Sequence, residues 1–378
     1  MLYFDYTATT PVDKDVLDTY IKVQNNYYAN INSLHRLGQT SNALYVQATE
    51  EIKALLNIQH NIVYTGSASE ANNLAIQGLV KKYESGRIIT TKIEHPSVFE
   101  THQALEKQGY DVIYLPVNEK GLINIEDLIQ AMNKETILVS IMWVNNIVGS
   151  IQNVKEIIEV VKKYPKAKLH IDAVQGFGKL EPNFKLSDID LLTVSIHKIY
   201  GPKGIGLLFV RENLELEKVL YGTQTIRPGT TDLALVVSAC KAIKKAYPNI
   251  RNHYDYVKGL WNKLYRSVTQ MENIHINSYE SSPYIFNISF LKINAETVVH
   301  YLEKYEIYVS TGSACSSKLK KPEKTIMAMT NNKLLATNAV RISLSHLVTE
   351  ADLNQLIKVL GELNNVWFNI SALWRNDA

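Results

Sequence analysis

Polar residues gather where apolar runs end. Asp172 closes the run KLHID and Gln175 follows three residues later; Ser195, His197 and Lys198 close LLTVSIHK; GSASEANN (66–73) joins NIVYT to a helical pattern. These stretches carry a carboxylate, an imidazole, an amine and a set of small residues. Small residues let an anion approach the backbone, exposed amides at a helix N-terminus bind it, and Ser67 and Ser69 add hydroxyl donors, so a phosphate fits there. An amine that condenses with an aldehyde and a carboxylate that keeps a ring nitrogen protonated are the two groups pyridoxal phosphate chemistry demands. Taken alone, an Asp or Lys at a strand end reads as an ordinary polar terminus. Lys203 in GPKGIG is a rival amine, and that glycine-bearing segment does not match GxxxxGK[ST] and leads into a strand rather than a helix.

Such groups need a frame. From about 60 to 210 apolar runs alternate with helical patterns: 61–65, 87–90, 111–115, 136–142, 168–172, 191–196 and 204–210. The runs are continuously apolar, as strands covered on both faces by helices require, and predict a mostly parallel α/β sheet. Ligands then sit at the carboxyl ends of the strands. After YPNI (247–250) a long helical stretch, RNHYDYVKGLWNKLYRSVTQ, precedes short strands at 284–290 and 340–344, the texture of a smaller α+β domain. The expected division is a large domain over 13–249, with 1–12 and 250–378 forming the small one.

The bulk properties agree with a folded globular protein. The chain has 378 residues, 46% of them hydrophobic, with 10 prolines and 17 glycines, so disorder and fibrous repeats are excluded. Forty Lys and Arg against 37 Asp and Glu give +3, too small and scattered for nucleic acid to be the default partner. The opening MLYFDYTATTPVDKDV has no basic region followed by an apolar stretch, and no run approaches the roughly 20 apolar residues of a membrane span. A cytoplasmic protein is expected, whose two cysteines, Cys240 and Cys315, stay unpaired in a reducing compartment. Cys240, in LALVVSACKAIKKAY, has helical apolar spacing and reads as buried and inert.

Ten segments together resemble cysteine desulfurases of the NifS/IscS type: YFDYTATTPV (3–12), NINSLHRLG (30–38), SASEANNLAI (67–76), IEHPSV (93–98), ILVSIMWVNNIVG (137–149), HIDAVQGFGK (170–179), SIHKIYGPKGIG (195–206), RPGTTD (227–232), STGSACSS (310–317) and VRISLSH (340–346). They run in order through nearly the whole chain, and SIHKIYGPKGIG and STGSAC are highly specific. The resemblance implies the aminotransferase-like fold type I of pyridoxal-phosphate enzymes, a homodimer with a shared site, and conversion of L-cysteine to L-alanine with a persulfide passed to a protein acceptor. It implies that Lys198 binds the coenzyme and moves the Cα proton, Asp172 partners the pyridine nitrogen, Gln175 sits beside the phenolic oxygen and His95 stacks over the ring. Ser69, the Ala68 amide, Ser195 and His197 correspond to the phosphate cup, and Thr230 to a residue reaching the phosphate from the partner subunit. Arg341 corresponds to the clamp on the substrate carboxylate, with Asn146 nearby, and Cys315 to the nucleophile. The set contains no metal ligand.

The chemistry gives independent reasons for these types. A guanidinium fork matches a carboxylate bidentately, as an ammonium cannot. The attacked atom is sulfur, so a thiolate is needed, and a polar, glycine-bearing loop suits a sulfur that must visit a buried coenzyme and then an acceptor. Bland readings stand beside these: His95 as a helix-start histidine before Pro96, Arg341 as the partner of a surface carboxylate, KLKKPEK (318–324) as a solvated face, and Tyr27, Tyr28 and Tyr221 as packing at domain or subunit surfaces.

This sequence also departs from the family pattern. SAS replaces the usual GAT, Ile147 removes a carboxylate from NNE(I/T)G, and YGTQTIRPGT is shorter and poorer in glycine than expected. The stretch after 345 is short beside members that extend to dock a scaffold, which points to another acceptor, such as a tRNA-thiolating enzyme. The rival readings are a selenocysteine lyase or another enzyme of the same fold, and a sulfur-transfer scaffold without catalysis.

Overall fold

The computed structural model describes residues 1–222, 225–312 and 322–373. In chain order the elements begin with β1 (Leu2–Tyr3), α1 (Lys14–Asn26) and α2 (Arg36–Leu56). The alternating region follows: β2 (Asn61–Thr65), α3 (Ala68–Val80), β3 (Arg87–Thr91), α4 (Pro96–Lys107), β4 (Asp111–Leu115), α5 (Ile125–Ala131), β5 (Thr136–Met142), α6 (Val154–Val161), β6 (Lys168–Asp172), β7 (Leu191–Ser195) and β8 (Gly206–Val210). Then come α7 (Leu233–Ala246), α8 (Ile250–Val268), β9 (Ile274–Ile276), β10 (Ile285–Phe290), α9 (Ala295–Glu303) and β11 (Ile307–Tyr308). The last are α10 (Lys324–Thr330), α11 (Lys333–Thr337), β12 (Ala339–Ser343) and α12 (Glu350–Leu373).

The main sheet has the order β2-β8-β7-β6-β5-β3-β4. Its strands pair in parallel except that β8 runs against both β2 and β7. The reversal has a simple cause: residues 196–205 are all that joins β7 to β8, fewer than a crossover between parallel strands needs. Every residue of β5, β7 and β8 is buried, which is why their sequences are apolar without alternation. Covering each such Leu, Ile or Val contributes roughly 1.5–3 kcal/mol.

A second sheet, β12-β10-β9, is antiparallel, and β1 pairs in parallel with β11. The N-terminal segment ties the two regions together. Asp5 bridges to Ser343 beside the second sheet, while Thr10 N–H donates to the His197 carbonyl and Asp13 N–H to that of Tyr200, both past β7. Among the described residues no helix is long and apolar enough to cross a membrane.

Candidate active site

The carboxyl ends of β3, β5, β6 and β7, neighbours in the sheet, open with the head of α3 onto a cavity of about 230 Å³. Lys198, Asp172, Gln175, His95, Ala68, Ser69, Ser195, His197, Asn146 and Arg341 all line it. Thr230 is exposed outside it, and Lys203 is exposed on the connection into β8. Cys315 lies outside the described residues, as do 318–321 of the KLKKPEK run. Cys240 is buried on α7, and burial above all pushes its thiol up to about 12, so it packs rather than reacts.

The anion-binding end is built by the α3 head. Ser67 caps the helix by accepting the Glu70 N–H at 3.1 Å, and Glu70 Oε2 accepts the Gly66 N–H at 2.6 Å, an exchange close to a capping box. The Ala68 and Ser69 amides are first-turn N–H groups, which have no partner within a helix and face an incoming anion. Gly206 makes this close approach possible: a Cβ there would stand 2.5 Å from the Ser67 carbonyl carbon and 2.7 Å from the Ala68 nitrogen. Arg227 Nε reaches Glu70 Oε1 at 3.0 Å and ties the RPGTTD segment to the same helix head.

At the other end, Lys198 Nζ donates to the Thr7 and Ala8 carbonyls at 2.7 and 2.6 Å. Burial, and then the positive Arg341, bring this amine down to about 8, against the pull of Asp5 and Asp172. Burial likewise lowers His197 to about 4, with Lys198 adding to the effect, so the ring is neutral; its Nδ1 meets Thr9 Oγ1 at 3.0 Å.

Asp172 is buried and accepts the Val174 N–H through Oδ1 at 3.0 Å. Its Oδ2 accepts from Asn72 Nδ2 at 2.9 Å, and the same nitrogen donates to Ser97 Oγ at 2.9 Å. Ser97 Oγ in turn lies 2.8 Å from His95 Nδ1. A chain of hydrogen bonds thus runs from the carboxylate to the imidazole. His95 also caps α4 by accepting the Ser97 N–H at Nδ1, so it starts a helix, and the same residue lines the cavity. That leaves Nε2 as the ring nitrogen outside the cap. Burial is the main reason its basicity falls. Glu94, just before it, is held by Thr91 and the Met142 N–H, and burial raises its acid to about 8.

Arg341 is buried on β12, with Nη2 at 2.9 Å from Asp5 Oδ1 and Nη1 donating to the Asn146 carbonyl at 3.0 Å. Its partner is therefore a half-buried carboxylate on the N-terminal segment, not one on the open surface. Ile147, where the family pattern has a carboxylate, packs into an apolar cluster with Ile326, Met329 and Leu335, which would leave a charge unpaired.

Pyridoxal phosphate fits this donor set. Free helix-head amides and serines stand at one end, a buried carboxylate and a neutral-leaning amine at the other, and Gln175 lines the same cavity. Sequence reasoning passed over Asp5, Thr7, Ala8, Asn72 and Ser97. All lie inside or beside the matched segments, but only the folded chain shows what they touch.

The aminotransferase class-V family model matches residues 2–356. A NifS/IcsS protein homolog of Lactobacillus delbrueckii subsp. bulgaricus is 35% identical over 99% of this chain and 100% of its own length. The cysteine desulfurase IscS of a Clostridium botulinum strain is 34% identical over 99% of this chain and 97% of its own. Among solved structures, a NifS-like protein superposes with a TM-score of 0.89 at 31% identity, covering 96% of this chain and 98% of that one. SspA in complex with cysteine superposes with a TM-score of 0.79 at 32% identity, covering 91% and 99%.

Proposed function

The chain belongs to the aminotransferase class-V family, and from that premise we propose how its own residues divide the work of a cysteine desulfurase. It is a pyridoxal-phosphate enzyme acting on L-cysteine. The observation that carries the assignment of roles is that the Lys198 amine, the Asp172 carboxylate and the Arg341 guanidinium open into one cavity.

Lys198 would hold the coenzyme aldehyde and take up the Cα proton of the substrate. Asp172 would keep the pyridine nitrogen protonated, and Gln175 would donate to the phenolic oxygen. Ser69, Ser195, His197 and the Ala68 amide receive the phosphate, with Thr230 arriving from a second copy. Bound there, the coenzyme supplies an electron sink for the amino acid's Cα. Arg341, aimed by Asp5 and the Asn146 carbonyl, takes the substrate carboxylate and so fixes which bond faces Lys198. His95 passes protons through Nε2.

The Cys315 thiolate attacks the substrate Sγ; the new S–S bond forms as Cβ–Sγ breaks, and that electron pair stays with the three-carbon fragment, which leaves as alanine once protonated. The product on the enzyme is a persulfide, handed on to an acceptor protein, either a scaffold for iron–sulfur assembly or a tRNA-thiolating enzyme. A reducing cytoplasm suits a thiolate nucleophile. The working form is a homodimer: Tyr28, Leu34 and Leu37 stand exposed at and beside the start of α2, and Thr230 lies away from its own cavity. Residues 13–249 form the coenzyme-binding domain, with 1–12 and 250–378 carrying Arg341 and the Cys315 segment.

The Cys315→Ala protein tests the central role. It should stay yellow with bound coenzyme yet form neither persulfide nor alanine; continued release of sulfide in the presence of a reductant would refute the assignment.

A further inference from the structure

One buried amine takes no part in these steps. Lys179 follows Gln175 by four residues in the turns after β6, where the Phe177 N–H donates to the Ala173 carbonyl and the Leu180 N–H to that of Gly176. This winding brings the two side chains together: Lys179 Nζ donates to Gln175 Oε1 at 3.1 Å. Nζ also lies 5.8 Å from the centre of the Tyr284 ring. Among the described residues no carboxylate pairs with it. Burial brings the amine down to about 7, and the charges that act on it, Lys198 and Arg341, share its sign and add to the effect. Burying an amine among like charges is costly, so its contact with Gln175 needs a reason.

The reason lies in the amide. In either protonation state Lys179 offers N–H donors, which match a carbonyl oxygen, whereas the Thr7 carbonyl can only accept, and Gln175 Nε2 donates to it at 3.2 Å. Two partners of opposite kind therefore set the same orientation, oxygen away from the cavity and NH₂ toward it. One N–H of that group is left over on a residue that lines the cavity.

We propose that Lys179 is a positioning residue, locking the Gln175 amide so that its spare N–H faces the phenolic oxygen of the bound coenzyme. This rests on the placement of Gln175 beside that oxygen. An N–H aimed there favours the ionised oxygen and loosens the proton it shares with the Lys198 linkage. Without the lock the amide can turn its own oxygen inward; the shared proton is then held more tightly.

The readout is the pH midpoint of the coenzyme's visible absorption, taken on coenzyme-loaded protein alongside thermal melting. Lys179→Met should move the midpoint upward by about half to one pH unit. Lys179→Arg, for which the adjoining cavity of about 460 Å³ has room, should bring it back. In a Gln175→Leu background, Lys179→Met should change little more. An unmoved midpoint in a folded, yellow Lys179→Met protein, or an equal shift with Gln175 absent, overturns the proposal. Should Lys179→Met not fold, Lys179→Leu, which likewise offers no donor, is read by the same criterion. A wild-type protein that takes up no coenzyme would instead defeat the placement of Gln175 itself.

Discussion

Lys198 meets two demands that oppose each other in water: it must be an amine at working pH, and it must sit near a carboxylate. Burial and Arg341 resolve the conflict by favouring the neutral form. Only the neutral amine attacks an aldehyde, so its reactive fraction grows as pH rises through about 8, well below the range of an exposed lysine. Covalent capture of added coenzyme by coenzyme-free protein should therefore speed up from pH 7 to 9 and level off above, followed by visible absorption; Lys198→Ala should show no such step. Arg341 is specific to its role in a similar way. Its fork is held by Asp5 and the Asn146 carbonyl, so Arg341→Lys keeps a positive charge but loses the bidentate geometry. We expect KM for L-cysteine to rise on the order of 10- to 100-fold, equivalent to about 1.5–3 kcal/mol, with the coenzyme spectrum unchanged.

At the scale of elements, the phosphate end depends on how closely β8 and the α3 head approach. Gly206 allows this, because any Cβ would press on the backbone of Ser67 and Ala68 rather than on a side chain that can move aside. Gly206→Ala should thus cost about 1–3 kcal/mol in a denaturant melt and weaken coenzyme binding as well. Ser67→Ala removes the cap on α3 and should cost about 1 kcal/mol. Comparing the two by coenzyme titration separates a displaced helix head from a merely frayed one: the glycine variant should lose more affinity. The elements themselves were legible in the sequence. The runs at 61–65, 111–115, 136–142 and 168–172 coincide with β2, β4, β5 and β6: β5 and β6 are buried nearly throughout and leave an unbroken apolar trace, and the half-buried edge strands β2 and β4 are apolar enough to be read as well. The direction of β8 left no such trace, since apolar content is blind to orientation and only the short 196–205 connection sets it.

For the whole molecule, the proposed homodimer would cover the exposed Tyr28, Leu34 and Leu37 and would bring Thr230, exposed outside its own cavity, to the site of the second copy. The protein should sediment as a dimer of its 42.8 kDa chain. A Leu34→Asp, Leu37→Asp variant should shift toward monomer and hold the coenzyme more weakly; a monomeric wild type with full coenzyme affinity would contradict a shared site. The sequence alone determined the alternation of strands and helices, the residue types of the cavity and the resemblance to a desulfurase, since each is written in local spacing or in short contiguous motifs. The tertiary structure decided which amine turns inward: Lys198 is half-buried and lines the cavity, while Lys203 is exposed and does not, although the two lie five residues apart. It alone brought Thr7 and Ala8 to Lys198 across separations of 191 and 190 residues, Asp5 to Arg341 across 336, and the Asn72 bridge to Asp172 across 100. Contacts of that reach depend on how sheets and segments pack together, and no local pattern along the chain encodes them.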